Sequence, residues 1–219
     1  MPSTHVIAFM GVAGAGKTSL VRGVAARLDD AAAMFADAYR STAIGWPNDR
    51  DTELNDAQKC AKWFRTGCLA DDYGSWPLLV EHLGTLKAGL PVVMPEKMWG
   101  SPGCDGVGTE GGEHHVHPAR YVILEDAWAL RTESRALIDM SFHVSVPLDV
   151  ALARRLKRDI RQGERVLPIV RQYLDIGRRY SQALEAAASE ADVILDGTRP
   201  LDELVGDATQ RIRDRFARP

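Results

Sequence analysis

The sequence predicts an α/β fold in which a parallel β-sheet is covered by helices on both faces. Five short apolar segments are spread along the chain, and helix-forming stretches separate most of them. Strands that are apolar along nearly their whole length are typical of a parallel sheet that is buried on both sides. These observations together predict a three-layer α/β/α arrangement around five strands.

The individual elements follow from local patterns. Short apolar runs bounded by polar or turn-forming residues favour strands, and they occur at His5 to Met10, Ala32 to Ala36, Arg120 to Glu125, Ser141 to Val146 and Asp192 to Leu195. A helical pattern follows the first strand at Lys17 to Leu28, and a last amphipathic helix is predicted at Leu201 to Phe216.

Two segments interrupt this alternation. Residues 41–75 are polar and include an acidic helix candidate, Asn55 to Thr66. Residues 90–118 are rich in glycine, proline and histidine, and their flanks, Pro91 to Met94 and His114 to His117, are predicted to pair as a β-hairpin. We interpret the three histidines of the second flank as a polar hairpin face, with a His–His metal pair as the less favoured alternative.

The composition is that of an ordinary globular domain. The chain has 219 residues and a formal net charge of -3, with 45% hydrophobic and 26% charged residues. These values exclude a disordered chain and a polycation that would hold nucleic acid by bulk charge. No apolar stretch is long enough to span a membrane, and the first residues lack the basic segment of a secretory signal. The three cysteines form no CxxC pair, so a cytoplasmic protein without a disulfide framework is expected.

A glycine-rich segment after the first strand predicts a phosphate-binding loop. Residues 11–18, Gly-Val-Ala-Gly-Ala-Gly-Lys-Thr, match the pattern GxxxxGK[ST], with an apolar strand before them and a helix after them. In such a loop the backbone N–H groups and the helix N-terminus face phosphate oxygens. Lys17 is expected to bridge the β- and γ-phosphates, and Thr18 to contact Mg²⁺. The nucleotide-binding residues predicted here are Gly11, Ala13, Gly14, Ala15, Gly16, Lys17, Thr18 and Ser19.

Two carboxylates are predicted to join this loop at the carboxyl edge of the sheet, where ligands of open α/β sheets bind. Glu125 ends a strand and is expected to bind Mg²⁺ directly or through water, and Asp126 could share that role. Asp37 follows the second strand, where a carboxylate could accept the proton of an attacking hydroxyl.

Arginines cluster later in the chain. Arg154, Arg158, Arg161 and Arg165 are spaced i, i+4, i+7 and i+11, so on a continuous helix they form one narrow stripe. Guanidinium groups on one face repel each other unless anions meet them, and phosphates are suitable anions. Because Gly163 lies within the stripe, we interpret this region as a mobile lid that closes over a nucleotide.

Three further blocks complete a resemblance. They are Leu-x-x-Leu-Lys-Ala-Gly-x-Pro-Val at Leu83 to Val92, the block Asp149 to Tyr173 with Arg-Arg-x-x-Arg-Asp and a later Gln-Tyr, and Ala-Asp-Val-Ile-Leu at Ala191 to Leu195. With the loop, Asp37 and Glu125, they make the chain resemble the uridine kinase and phosphoribulokinase family of P-loop kinases. The resemblance covers most of the chain in order.

This resemblance implies a single P-loop kinase domain over residues 1–219. Segments 41–75 and 90–118 would be insertions on the substrate side, the second of them the β-hairpin, and 149–180 would contain the helical, arginine-rich lid. The implied activity is Mg²⁺-dependent transfer of the γ-phosphate of ATP to a hydroxyl of a nucleoside or a nucleoside-like or sugar-containing metabolite. A homodimer would fit relatives, and neither nucleic acid nor a membrane is expected as a partner.

The resemblance also implies roles for individual residues. The expected catalytic groups are Asp37, Lys17, Arg154 and Arg158, and the expected metal ligands are Thr18 and Glu125. Beyond the loop, ATP contacts are expected from Arg154, Arg158, Arg165 and Thr198. Contacts to the acceptor are expected from Asp37, Tyr39, Asp71, Lys97, Trp99, Glu125, Arg161 and Gln172.

The chain departs from the family pattern at three places. The hairpin of uridine kinases carries Tyr-Asp-Phe and a histidine, whereas this chain has Glu-Lys-Met-Trp at residues 96–99. The family's Glu-Gly is here Glu125-Asp126, and its Arg-Gly-Arg is Gln162-Gly-Glu-Arg165. These departures argue against uridine itself as the acceptor.

Two other functions are compatible with a phosphate-binding loop. One is a nucleotide-binding switch or an ATPase that acts on a partner protein, although the Asn-Lys-x-Asp motif by which a GTPase reads its base is absent from the sequence. The other is a degenerate fold that binds nucleotide without turnover. Steady ADP release without an added small acceptor would favour the switch or ATPase.

Overall fold

The computed structural model describes residues 3–39, 76–94, 114–130, 132–161 and 166–217. Its strands are β1 (His5–Met10), β2 (Ala31–Phe35), β3 (Val92–Met94), β4 (His114–Val116), β5 (Tyr121–Glu125), β6 (Met140–Ser145) and β7 (Val193–Asp196). Its helices are α1 (Lys17–Arg27), α2 (Trp76–Lys87), α3 (Thr132–Arg135), α4 (Leu148–Arg161), α5 (Val166–Gln172), α6 (Arg178–Ala186) and α7 (Leu201–Arg215). Short 3₁₀ turns occupy Ala36–Tyr39 and Ala187–Glu190, and a π-helical turn occupies Tyr173–Gly177.

Five of these strands form one parallel sheet in the order β2-β5-β1-β6-β7. The predicted α/β fold is confirmed, and each of its five strands lies within one residue of its predicted bounds. β2 begins and ends one residue earlier than predicted, and this shift has a local cause. Asp30 has a left-handed backbone, with φ of 59°, so the turn ends there and the strand begins at Ala31.

The hydrophobic core is centred on the two middle strands. Val6 to Phe9 of β1 and Val122 to Leu124 of β5 are fully buried, as the continuous apolar character of these strands predicts. Phe9 also stacks on Phe142 of β6, with ring centroids 4.7 Å apart. The central strands therefore form a rigid base for the segments that follow their carboxyl ends.

The strand register brings three of these carboxyl ends together. The Cα of Glu125 in β5 is paired with that of Phe9 in β1 on one side and with that of Phe35 in β2 on the other. Segments that follow β1, β2 and β5 therefore leave the sheet side by side. These segments are the glycine-rich loop, the turn that contains Asp37, and Asp126 with the residues after it.

The predicted hairpin strands pair as expected. β3 and β4 are antiparallel, with Val92 opposite Val116 and Met94 opposite His114. Val92, Met94 and Val116 are buried, whereas Val93 is 43% exposed. One face of this two-stranded sheet therefore packs against the rest of the protein. The helix candidate at 55–66 and the tip of the hairpin lie outside the described residues.

Helix α2 is bonded to the amino end of the sheet. Leu79, Leu83 and Leu86 lie on one face of the helix and are buried. At its last residue, Nζ of Lys87 donates to Oδ2 of Asp139 at 2.6 Å, and the same carboxylate oxygen accepts the N–H of Val6 at 2.8 Å. Apolar packing and this partly buried ion pair together fix α2 relative to β1.

The arginine-rich segment forms helices α4 and α5, and residues 162–165 between them lie outside the described ranges. After α5 the chain continues through the π-helical turn into α6. Across the described parts of the chain, no helix is both long enough and apolar enough to cross a membrane.

Two helical glycines should respond in opposite ways to an added methyl group. A Cβ at Gly84 in α2 meets nothing within 4 Å, so Gly84→Ala should raise the free energy of unfolding by about 0.5–1 kcal/mol through helix propensity. A Cβ at Gly23 in α1 would stand 2.6 Å from Cγ2 of the buried Val205. Gly23→Ala should therefore lower the free energy of unfolding by about 1–3 kcal/mol. Urea unfolding measures both. A stabilised Gly23→Ala variant would contradict the close contact between α1 and α7.

Candidate active site

The loop between β1 and α1 has the backbone geometry that a phosphate-binding loop requires. Gly11, Gly14 and Gly16 all have positive φ, between 91° and 134°, and Gly16 caps α1 in the left-handed conformation. The N–H of Ala15 donates to the carbonyl of Val12 at 3.1 Å and tightens the curl. Successive N–H groups can therefore face a single anion at the start of α1.

The loop also lies against neighbouring backbone. The carbonyl of Ala151, in the first turn of α4, occupies the place where a Cβ of residue 14 would stand. A Cβ at position 11 would lie 2.5 Å from the carbonyl oxygen of Val144 in β6. Glycine at these two positions therefore allows the loop to pack between β6 and the start of the arginine-rich helix.

Lys17, Thr18 and Glu125 form a compact cluster beside the loop. Nζ of Lys17 lies 3.7 Å from Oε1 of Glu125 and donates to the carbonyl of Val12 at 3.2 Å. The hydroxyl of Thr18 donates to Oε2 of Glu125 at 2.9 Å. Lys17 is buried, and the Glu125 side chain is 14% exposed. Two residues of the motif thus meet a carboxylate that lies more than a hundred positions away in sequence.

The oxygens of this cluster fit a magnesium ion. Mg²⁺ prefers hard oxygen ligands and is usually bound by one or two protein oxygens together with phosphate and water. The Thr18 hydroxyl and the Glu125 carboxylate are such ligands, and their bond shows that both point to one place at the start of α1. The predicted metal ligands are therefore brought together.

Asp37 lies in the 3₁₀ turn that follows β2 at the same edge of the sheet. It is half-buried, whereas Ala36, Ala38 and Tyr39 in this turn are buried. It comes two residues after Phe35, which is paired with Glu125. The structure thus places Asp37 and the Lys17 cluster on neighbouring strand ends.

Tyr39, predicted to contact the acceptor, is buried beside α2. Its side chain is 2% exposed, and its hydroxyl is 2.8 Å from Nδ1 of His82 in α2. The Tyr39 ring is therefore part of the protein interior, beside α2. Sequence reasoning missed His82, although a histidine on the leucine-rich face of α2 was the available signal.

The arginines of α4 have different surroundings. Nη1 of Arg154 donates to the carbonyl of Gly197, in the loop after β7, at 2.9 Å. Nε of Arg158 donates to Asp159 at 2.7 Å, while its side chain is 55% exposed, and Arg161 is exposed. The structure therefore places Arg154 on the loop after β7 and leaves Arg158 largely accessible to solvent.

The loop after β7 is internally bonded. The backbone N–H and the hydroxyl of Thr198 donate to Oδ1 of Asp196 at 2.9 and 2.6 Å. These bonds hold the pKa of Asp196 below its usual value. The N–H of Gly197 donates to the carbonyl of Ser145 at 2.8 Å. The hydroxyl of Thr198, predicted to contact nucleotide, is thus engaged within the loop.

Several predicted contacts fall outside these observations. Asp71, Lys97, Trp99 and Arg165 lie outside the described residues, and Gln172 is described only as the last residue of α5. Their assignments stay predictions. Among the described residues, no group of three or more His, Cys, Asp or Glu side chains could hold a metal ion.

Known proteins resemble this chain over most of its length. The model of the phosphoribulokinase / uridine kinase family matches residues 6–202. The uridine kinase of Lactobacillus helveticus is 27% identical over 197 residues, which is 87% of this chain and 85% of that protein. The uridine kinase of Yersinia enterocolitica is 34% identical over 123 residues, and this match spans 54% of each chain.

Solved structures share the fold. A "putative fructose transport system kinase" from Silicibacter sp. TM1040 superimposes with a TM-score of 0.64 at 20% identity, covering 89% of this chain and 91% of that one. A "possible uridine kinase" from Bacillus stearothermophilus gives a TM-score of 0.57 at 14% identity, covering 90% of each chain. At these identities the likeness concerns the fold.

The family match includes the glycine-rich loop, Glu125 and the arginine-bearing helix α4. Such kinases generally use ATP and Mg²⁺, and the Lys17–Thr18–Glu125 cluster has the groups that this chemistry needs. The chain therefore belongs to the phosphoribulokinase / uridine kinase family and is a P-loop small-molecule kinase, a phosphotransferase that acts on a hydroxyl group.

Proposed function

We propose that this chain transfers the γ-phosphate of ATP to a hydroxyl of a nucleoside or of a nucleoside-like or sugar-containing metabolite, with Mg²⁺. One observation carries the proposal: Lys17, Thr18 and Glu125 converge beside the strand end that is followed by Asp37. This arrangement supports the proposal, because a phosphate-binding cation, two metal ligands and a proton acceptor would then lie at one edge of the sheet.

The start of α1 provides the phosphate site. Within the described residues, α1 has no side-chain cap and no acidic residue in its first turn, so its first N–H groups are available to an anion. Lys17 is held beside them by the Val12 carbonyl and adds a full positive charge. The polyphosphate of ATP would therefore bind where backbone dipoles and the Lys17 ammonium act together.

Thr18 and Glu125 would hold the metal ion. When bound, Mg²⁺ neutralises charge that develops on the transferred phosphoryl group. Glu125 also orients Thr18 and Lys17, because each of its carboxylate oxygens faces one of them. The carboxylate thus links the metal ligand to the phosphate-binding cation.

Asp37 would accept the proton of the acceptor hydroxyl. In the transfer, the hydroxyl oxygen forms a bond to the γ-phosphorus, the bond from that phosphorus to the β,γ-bridging oxygen breaks, and ADP leaves. The hydroxyl proton passes to the Asp37 carboxylate. Such proton transfer contributes about 10²–10⁴ in rate. The enzyme otherwise works by holding the two reactants in line.

The acceptor class is supported by relatives and by sequence departures. The Lactobacillus and Yersinia proteins are named uridine kinases, which favours a sugar-bearing acceptor. The hairpin sequence Glu-Lys-Met-Trp at 96–99 differs from the pattern that binds the base in uridine kinases. We therefore favour a nucleoside-like or other sugar-containing compound over uridine itself.

A panel of nucleosides and sugar-containing metabolites tests this proposal. With Mg²⁺ and ATP, ADP should form only when a suitable acceptor is present, and mass spectrometry should detect the phosphorylated acceptor. Asp37→Asn should lower kcat by about 10²-fold or more while the Kd for ATP changes less than about twofold. Asp29→Asn, an exposed aspartate before β2, is the matched control. Rapid ADP release without any acceptor would contradict the proposed function.

Glu125→Gln should weaken the magnesium site. The amide keeps the size of the side chain but removes the charge that attracts a hard cation, so the half-saturating Mg²⁺ concentration should rise by about tenfold. Glu190→Gln is the control, because Glu190 pairs with Arg135 on the surface. Magnesium titration of the initial rate measures both variants. An unchanged half-saturating Mg²⁺ concentration for Glu125→Gln would show that Glu125 is not a metal ligand.

Arg154 and Arg158 should affect different kinetic constants. Arg154→Ala removes the bond to Gly197 and should mainly raise the KM for ATP, because the loop after β7 loses a support. Arg158→Ala should lower kcat more than it changes KM if its exposed guanidinium meets the transferred phosphoryl group. Lys157→Ala, an exposed cation next to Arg158, is the control. Equal effects of both arginine variants on the same constant would contradict this division.

A further inference from the structure

The turn that carries Asp37 is embedded in the protein. Ala36 and Ala38 are 2% and 3% exposed, and Tyr39 is 2% exposed, so three of its four residues are buried. The two alanines allow the turn to approach its neighbours closely, while the tyrosine fills space beside α2. Asp37 alone within this turn is half-buried. The direction of its carboxylate therefore depends on how the turn is seated.

One side-chain bond seats this turn against α2. The hydroxyl of Tyr39 and Nδ1 of His82 are 2.8 Å apart, and the two rings meet edge to face at 75° with centroids 5.6 Å apart. A buried tyrosine hydroxyl needs a hydrogen-bond partner, and His82 is that partner. The bond links positions 43 residues apart in the sequence.

The protonation of the two groups allows this bond. Burial raises the pKa of the Tyr39 hydroxyl further above its usual value, which already lies well above neutral pH, so the hydroxyl stays protonated. Desolvation lowers the pKa of His82 despite the opposing effect of Glu81, so its imidazole is neutral at pH 7. A protonated Tyr39 hydroxyl and a neutral imidazole can form this hydrogen bond in either direction, with Nδ1 accepting or donating according to the tautomer of His82.

His82 is itself held in place. It lies on α2 between Leu79 and Leu86, which are 1% and 0% exposed. The last residue of α2, Lys87, is bonded to Asp139, which also accepts the N–H of Val6 at the start of β1. Since β1 leads directly into the phosphate-binding loop, α2 gives the Asp37 turn a support that is tied to the same strand.

We infer that Tyr39 and His82 are a positioning pair that sets the Asp37 carboxylate for proton transfer, an inference that rests on the proposed function. In this role the pair acts on the turn and not on the reactants, since the Tyr39 side chain is 2% exposed and bonds His82. Their bond restricts the short turn so that Asp37 stays beside the end of β5. A small displacement of such a group has a large kinetic effect, since about 1 Å can cost about 100-fold in rate.

The first test removes each half of the bond. Tyr39→Phe and His82→Leu should each lower kcat by about tenfold, with the KM for ATP changed less than about twofold. The double variant should be no slower than the slower single variant, because both changes remove the same bond. His82→Asn keeps an amide, which can accept or donate a hydrogen bond, close to the position of Nδ1 and should recover most of the rate.

The second test asks whether the pair acts through Asp37. In an Asp37→Asn background, Tyr39→Phe should cause no further loss of kcat. Tyr180→Phe is the matched control, because Tyr180 accepts the indole N–H of Trp128 at 2.9 Å and its ring meets Trp128 at 72° with the same 5.6 Å separation. If Tyr180→Phe lowers kcat, it should lower kcat by the same factor in the wild-type protein and in the Asp37→Asn background.

The outcomes separate this inference from the proposed function. If Asp37→Asn keeps the wild-type kcat, the assignment of the proton acceptor fails. If Asp37→Asn is slow but Tyr39→Phe keeps the wild-type rate, the positioning pair is wrong. A loss from Tyr39→Phe that persists undiminished in the Asp37→Asn background also overturns it, since it reports a general structural effect. The rates are measured with the best acceptor of the panel and, as a second readout, with water as acceptor. Thermal unfolding checks that each variant is folded at the assay temperature.

Discussion

The carboxylate of Glu125 is the point on which the active-site arrangement depends. It accepts the Thr18 hydroxyl through one oxygen and faces the Lys17 ammonium with the other. These contacts exist because the parallel register places Glu125 between the ends of β1 and β2. Lys17 and Thr18, which are neighbours in the phosphate-binding motif, thereby contact a residue that is distant in sequence and is brought close by the sheet. The same register also positions the Asp37 turn, because this turn follows β2, whose residue Phe35 is paired with Glu125.

The end of β6 forms a second junction, on the other side of β1. The Val144 carbonyl lies against Gly11 of the phosphate-binding loop, and the Ser145 carbonyl accepts the N–H of Gly197. The Ser145 hydroxyl donates to Glu185 of α6 at 2.8 Å. Because Arg154 also bonds Gly197, the loop after β7 is supported from both β6 and α4. Arg154 is thereby fixed on this loop, whereas the Arg158 side chain is 55% exposed.

Much of the fold could be predicted because its signals are local. Apolar strands and helical patterns identified the five strands within one residue, and the paired flanks at 91–94 and 114–117 identified the antiparallel strands. The motif at residues 11–18 predicted a loop whose three glycines do have positive φ. Glu125 and Asp37 could be assigned to one edge because the first ends a strand of a parallel sheet and the second follows another. The internal placement of Tyr39 could not be predicted, since an Asp-x-Tyr pattern does not reveal what packs on the ring.

The sequence by itself determined the strands, the phosphate-binding motif and the residue types available for phosphoryl transfer, because these depend on neighbours along the chain. Only the tertiary structure decided which side chains meet. Arg154 bonds a backbone carbonyl 43 positions away, His82 bonds the Tyr39 hydroxyl, and Thr198 donates to Asp196. Spacing on one helix cannot specify such partners, because the direction of a long side chain is set by the hydrogen-bonding groups and the burial that packing brings to it.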